Sequence, residues 1–436
     1  MLKNIKSCLG SMKSRIIFSI VLFFLLFQAF LTYGLVSIFY DGSNDHSERP
    51  VNLVQRTDSE EAVIKKILEL IELDDYKFHT GDINRNFTEK HMETIENRVI
   101  GYLDPDRNPG LLEIIGQNKI MVSEPYKFNA VKNIVKSLKE YVLICLEKKD
   151  FEKALSAFNA MVSMVIFSER GNEGAQVLIC GMISTSLRII LSEVTNKLID
   201  GAKENLTADR LEKMNQKINK CSECATGFFD VLKGEMNAVK TNFTNYPSGF
   251  YKNNFFKALA LMLAFKSMDL YYGNAIDQYE EIMNKFMSVK DKPYAEACKK
   301  IKDTFADFET KAKTPYSIFL SRMHPLVMMA VPNLCRAFDQ FVATKMRMNA
   351  ISIRIALLKN SRSGGKTPLS INEVPNLPGL SSGKDKITDL FTGEKLKYSV
   401  SQTGEVTIYS CGPDMMDNGG KTDAYNGLSA GFDIKL

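Results

Sequence analysis

The sequence has no tryptophan and only four histidines (His46, His79, His91, His324), far apart along 436 residues. That leaves little material for a histidine-based active site, and neither H-E-x-x-H nor G-x-S-x-G occurs. An excess of one charge sign is also missing: 56 Lys and Arg stand against 51 Asp and Glu. Four of the cations (Lys3, Lys6, Lys13, Arg15) lie in the first 15 residues, which hold no acid. The rest is close to neutral, which excludes a strongly basic nucleic-acid-binding surface. No repeat of fixed period is visible, so a long solenoid array is not expected. Nucleotide binding is excluded in the same way. Gly364-Gly365-Lys366-Thr367 matches the end of a P-loop, but Asn360 stands where the motif needs glycine and no apolar strand precedes it.

Charge is missing again from Ile16 to Tyr40, and here the lack is informative. These 25 residues (40 − 15) include no Asp, Glu, Lys, Arg or His. About 20 apolar residues span a bilayer, so 16–40 is expected to be a transmembrane helix. Cations precede it and Asp41, Asp45 and Glu48 follow, which places residues 1–15 in the cytoplasm and the bulk outside. In an envelope with two membranes this is an inner-membrane, single-pass protein with its bulk in the periplasm. A cleaved signal peptide is the alternative, although the run is long and no Ala-x-Ala site follows. Met182–Leu191 is also apolar, but it is short and contains Arg188.

Beyond a polar linker (41–60) the pattern is helical to about residue 313. Val131, Ile134, Val135, Leu138, Tyr141, Val142 and Cys145 form one stripe, and Phe151, Ala154, Phe158, Met161, Val162 and Val165 form the next. Lys148-Lys149-Asp150 is the turn between them. Further helices are expected near 174–200, 207–240, 252–288 and 292–312. A helical bundle or short α-solenoid over 61–313 follows. A long helix is expected over 333–358, then a Gly/Pro loop over 360–386. Leu396, Tyr398 and Val400, and then Val406 and Ile408, switch to period two around Gly404, which predicts a β-hairpin over 394–410. An Asp/Gly-rich tail closes the chain. The fold class is thus mainly α, ending in a small α+β module with an antiparallel hairpin over 316–436.

Residues of that module carry a family resemblance. Asp389-Leu390-Phe391-Thr392-Gly393 with Tyr398, then Ile408-Tyr409-Ser410-Cys411-Gly412-Pro413-Asp414, then Asp433-Ile434, are similar to the C-terminal module of type II secretion major pseudopilins. The resemblance covers about 100 residues. Met12–Phe18 lacks the glycine and glutamate of the pseudopilin processing site, so an ordinary filament subunit is not implied. The whole-chain order resembles membrane-anchored proteins of planctomycete-like bacteria. The implied role is structural or interactive, with protein partners, in an envelope or secretion-related assembly. An anchored envelope hydrolase with its site in the helical domain is the alternative.

Two groups of residues could carry chemistry. Asp414, Asp417, Asn418, Asp423 and Asp433 supply hard oxygen donors among glycines, which suits either calcium or a solvated turn. The resemblance implies calcium, at Asp414, Asp417 and Asp433. Cys221-Ser222-Glu223-Cys224 is a C-x-x-C within a helical stretch, with no second pair nearby to complete a zinc site. It reads as unremarkable helix thiols, as a local disulfide in an oxidising compartment, or as a redox site.

Overall fold

The structure is a computed structural model. It describes residues 62–63, 65–67, 69–70, 89–117, 125–169, 178–244, 277–312, 334–380, 383–402, 404–422 and 433–435. The expected membrane helix (16–40), the linker (41–60) and Asp423 lie outside the described residues. Arg56–Leu436 form one contact-dense unit.

This unit is mainly helical with a small antiparallel sheet. α1 (Glu89–Thr94) runs through a π-helical turn (Ile95–Ile100) into Gly101–Leu103. α2 (Leu111–Gln117), α3 (Pro125–Glu147), α4 (Phe151–Glu169), α5 (Leu178–Gly201), α6 (Ala208–Cys224) and α7 (Phe228–Thr244) follow. Then come α8 (277–287), α9 (Tyr294–Ala312), α10 (Leu334–Arg362) and the short α11 (Gly383–Lys386).

The α3–α4 hairpin forms where the two apolar stripes predict it. Its turn closes as a Schellman motif: the Asp150 amide donates to Cys145 O at 2.8 Å and the Lys149 amide to Leu146 O at 3.1 Å. Lys149 takes the left-handed conformation (φ 59°) that glycine usually fills. Asp150 Oδ1 then accepts the Lys153 amide at 3.2 Å and caps α4. In α4 every residue from Ala157 to Glu169 is buried, so this helix is the centre of the bundle.

The single helix expected over 207–240 is two helices. The chain breaks at 225–227, where the Thr226 hydroxyl donates to the Glu169 carbonyl at 2.7 Å, a tertiary bond that local periodicity does not reveal. α5 is, among the described residues, the one helix long and apolar enough to cross a membrane. Most of its apolar window is buried inside the unit, as suits a core helix. Gly181 lets it approach α7 and α10, since an added Cβ would lie 2.8 Å from the Val231 methyls and 3.0 Å from Phe341.

α10 runs four residues beyond the expected end at 358 and organises the rest. The Gly364-Gly365 pair is its C-terminal cap: the Gly365 amide donates to Asn360 O at 2.9 Å, with Gly364 at φ +78°. The expected loop over 360–386 therefore begins with the last turn of α10 and ends with α11. β1 (Lys397–Val400) pairs antiparallel with β2 (Val406–Ser410), Tyr398 opposite Ile408, as the alternation predicts. The tail adds β3 (Ile434–Lys435), antiparallel to β2, giving the order β1-β2-β3.

Two hydrophobic clusters result. The first is built by α1–α6 around Phe158, Tyr141, Leu187 and Ile218. The second joins α7, α8, α9 and the sheet through Phe228, Phe286, Tyr294, Phe391, Leu396, Ile408 and Ile434. α10 contributes to both: Met348, Ile351 and Ile355 to the first, and Phe338, Phe341, Ile353 and Ala356 to the second. The two segments expected as domains, 61–313 and 316–436, thus share apolar clusters.

Candidate functional site

The C-terminal tail is held by two buried carboxylates. Asp433 is 0% exposed. Its oxygens accept the Asn418 amide at 3.0 and 3.1 Å and the Gly420 amide at 2.6 Å. Gly419 and Gly420 both have positive φ (70° and 79°), and this curl helps turn the loop amides towards the carboxylate. Asp389, also buried, accepts the Phe391 amide at 2.9 Å, the Ser410 hydroxyl at 2.9 Å and the Cys411 amide at 3.0 Å. It ties the 389–394 turn to the end of β2.

The other expected site residues lie on the same loop but point to different partners. Asp414 Oδ1 accepts the Met416 amide at 3.0 Å. Asp417 accepts the Gly419 amide at 3.0 Å and the Tyr409 hydroxyl at 3.1 Å, and pairs with Lys397 Nζ at 3.3 Å. The Gly419 amide, with help from Lys397 and Tyr409, holds its carboxyl below the usual range. Calcium needs six to eight converging oxygens. Here amide N–H groups occupy both oxygens of Asp433, and an ammonium stands beside Asp417. Among the described residues no three His, Cys, Asp or Glu side chains meet in a way that could hold a metal ion. As placed, this donor set does not fit the ion that the resemblance implies.

Cys221 and Cys224 are buried thiols on the last turn of α6, not joined in a disulfide and packed in the first cluster. Beside them lies a buried ion pair: Glu169 Oε1 is 2.7 Å from Arg188 Nε, with side chains 1% and 5% exposed. The Thr226 amide donates to Glu169 Oε2 at 3.1 Å. Burial pushes the Glu169 carboxyl up, against Arg188 and Thr226, which draw it down. Burial likewise pushes the Cys221 thiol well above its ordinary range, and the Glu169 charge adds to this. A thiolate is disfavoured there, which is the opposite of what a redox nucleophile requires.

A second polar network, not foreseen in the sequence, crosses the helical region. Lys217 Nζ on α6 lies 2.8 Å from both Asp106 carboxylate oxygens and 2.9 Å from Asn159 Oδ1. Asn159 Nδ2 donates to Asp104 Oδ1 at 3.1 Å and to Asp106 Oδ2 at 2.8 Å. Asp104 and Asn159 are each 1% exposed. The Asp104-Pro105-Asp106 turn is thereby pinned to α4 and α6. The sequence signal for it is Asn159, a lone amide within the apolar run of α4.

Comparisons of the chain with family models, with curated proteins and with solved structures find no match.

Proposed function

We propose that this chain is a single-pass membrane protein, N-terminus in the cytoplasm, whose extracytoplasmic bulk is a structural or interaction component of an envelope or secretion-related assembly. The observation that carries this reading is the order of elements at the C-terminus. A 29-residue helix, a turn-rich loop and a small antiparallel sheet follow one another, the order of long helix, variable loop and small sheet that the pseudopilin resemblance implies. The uncharged stretch 16–40 supplies the anchor. The buried charges support a scaffold over an enzyme: Asp104, Glu169, Lys217 and Arg188 are taken up by internal partners. They join elements of the fold.

The test is membrane association. The full chain should stay with membranes after alkaline carbonate washing, and a chain lacking 16–40 should be released. Release of the full chain would overturn the reading.

A further inference from the structure

Among the described residues the exposed large apolar side chains are Ile179, Leu369, Met415 and Met416. The last two are adjacent, in the loop that Asp433 clasps. Met415 is 42% exposed and Met416 58%. Met161, Met164, Met214, Met283, Met346 and Met348 differ sharply, for each is 2% exposed or less. Met346 Sδ also accepts the Leu390 amide at 3.3 Å, so one of its lone pairs is engaged.

Met415 has φ 60°, in the left-handed region where a Cβ is crowded and glycine is usual. The turn around it is held firmly. The Met415 amide donates to Gly412 O at 3.1 Å, and the Gly412 amide donates to Ser410 Oγ at 3.1 Å. The Met416 amide donates to Asp414 Oδ1 at 3.0 Å, and the Met416 carbonyl accepts Asn418 Nδ2 at 3.0 Å. The Asn418 amide then reaches Asp433 at 3.0 and 3.1 Å. All these bonds are made by backbone and polar side chains, and neither thioether takes part. The loop therefore keeps its shape through groups other than sulfur. A bulky residue that is both exposed and in a conformation it disfavours is an outlier that packing does not explain.

We propose that Met415 and Met416 are a surface site of reversible oxidation by hydroperoxides, which turns the apolar tip of this loop polar while the clasp stays closed. A thioether reacts through a sulfur lone pair, with no proton to lose first, so access decides which methionine reacts. The sulfur attacks one oxygen of hydrogen peroxide. The S–O bond forms, the O–O bond breaks, and the proton on the transferred oxygen passes to the leaving oxygen, which departs as water. The sulfur gives up the two electrons that the peroxide gains. Return to the thioether takes a dithiol, which closes to a disulfide as the oxygen leaves as water. An apolar contact made through this tip would be lost on oxidation and regained on reduction. That consequence rests on the interaction role proposed above; the oxidation itself does not.

The experiment treats the folded full chain with dilute hydrogen peroxide. Thiols are then capped with maleimide in denaturant, and trypsin releases residues 398–421, whose only methionines are Met415 and Met416. Mass spectrometry should find one added oxygen per methionine there, formed ~10-fold faster than in peptides carrying Met161 or Met348. In denaturant the rates should converge. The folded, oxidised chain should lose the added oxygen to the two epimer-specific methionine sulfoxide reductases with dithiothreitol. The Asn418 and Gly420 amides should stay as protected from hydrogen exchange as before. Oxidation of Met415 and Met416 no faster than of Met161 and Met348 would overturn the proposal. So would sulfoxides that the reductases reach only after unfolding, or loss of protection at Asn418 and Gly420. Release of the chain from membranes would overturn the proposed function and leave this result untouched.

Discussion

Ile353 and Ile355 lie two positions apart on α10, are both 0% exposed, and belong to different hydrophobic clusters. Neighbours at that spacing lie on different faces of a helix. α10 is therefore a wall with a core on each side. A fragment of residues 316–436 would expose Met348, Ile351 and Ile355. It would also lose Tyr294, whose ring meets Phe391 edge-on at 4.6 Å. We expect this fragment to bind a hydrophobic dye and to melt without a sharp transition. A fragment that unfolds cooperatively would show that the sheet module is self-sufficient.

Removing the Asp433 carboxylate leaves the Asn418 and Gly420 amides without their acceptor beside the sheet. Charge-assisted bonds contribute about 1.5–3 kcal/mol each, so Asp433→Ala should lower stability by about 2–4 kcal/mol by urea denaturation. Asp433→Asn keeps one acceptor oxygen and should lose less. Because the amides already fill the carboxylate, calcium and chelator should give the same wild-type melting temperature. A calcium-dependent rise would mean that the loop rearranges to bind an ion.

The alternation of Leu396, Tyr398, Val400, Val406 and Ile408 was enough to read the β1–β2 pair, and the stripes on α3 and α4 were enough to read their hairpin. These elements declare themselves because each residue's environment repeats at the element's own period. β3 has two residues and no period, and it exists because Asp433 fixes its start. The shared wall at α10 was not legible, since a second buried face looks like any other apolar residue on a helix. Asp414, Asp417 and Asp433 were found as residue types, but which donors they meet depends on the fold of the 412–420 loop. The Lys148-Lys149-Asp150 turn was legible as a polar break between two stripes, but its left-handed residue was not, because Lys149 stands where glycine is usual.

The Asn159 network makes a separate prediction. Asn159→Ala leaves the buried Asp104 carboxylate and Lys217 without their shared partner, beneath the exposed Asp106 end of the turn. A buried charge left short of partners is strongly destabilising, so a loss of about 2–4 kcal/mol is expected. In a double-mutant cycle with Lys217→Met the loss in the double variant should be smaller than the sum of the two single losses. Full additivity would show that Asn159 and Lys217 do not act through one another.

Asp339 gives a pH dependence of defined sign. Burial holds its carboxyl above the ordinary value of 3.8, against Tyr294 and Lys302, which pull it down. A carboxyl raised on folding binds its proton more tightly in the folded chain. Its stabilising contribution is present at low pH and is lost as pH rises through 3.8 towards the folded value. The stability of wild type relative to Asp339→Asn should therefore improve as pH falls from 7 towards 4. The opposite slope would place Asp339 in a charged pair that favours the ionised form.

The central claim is that residues 16–40 anchor a body that lies outside the cytoplasm. The most direct measurement fuses, after Leu436, a reporter enzyme active only outside the cytoplasm, and in parallel a fluorescent reporter that matures only inside. The account predicts an active enzyme and a dark fluorescent fusion, both in the membrane fraction. A bright fluorescent fusion with an inactive enzyme would contradict it.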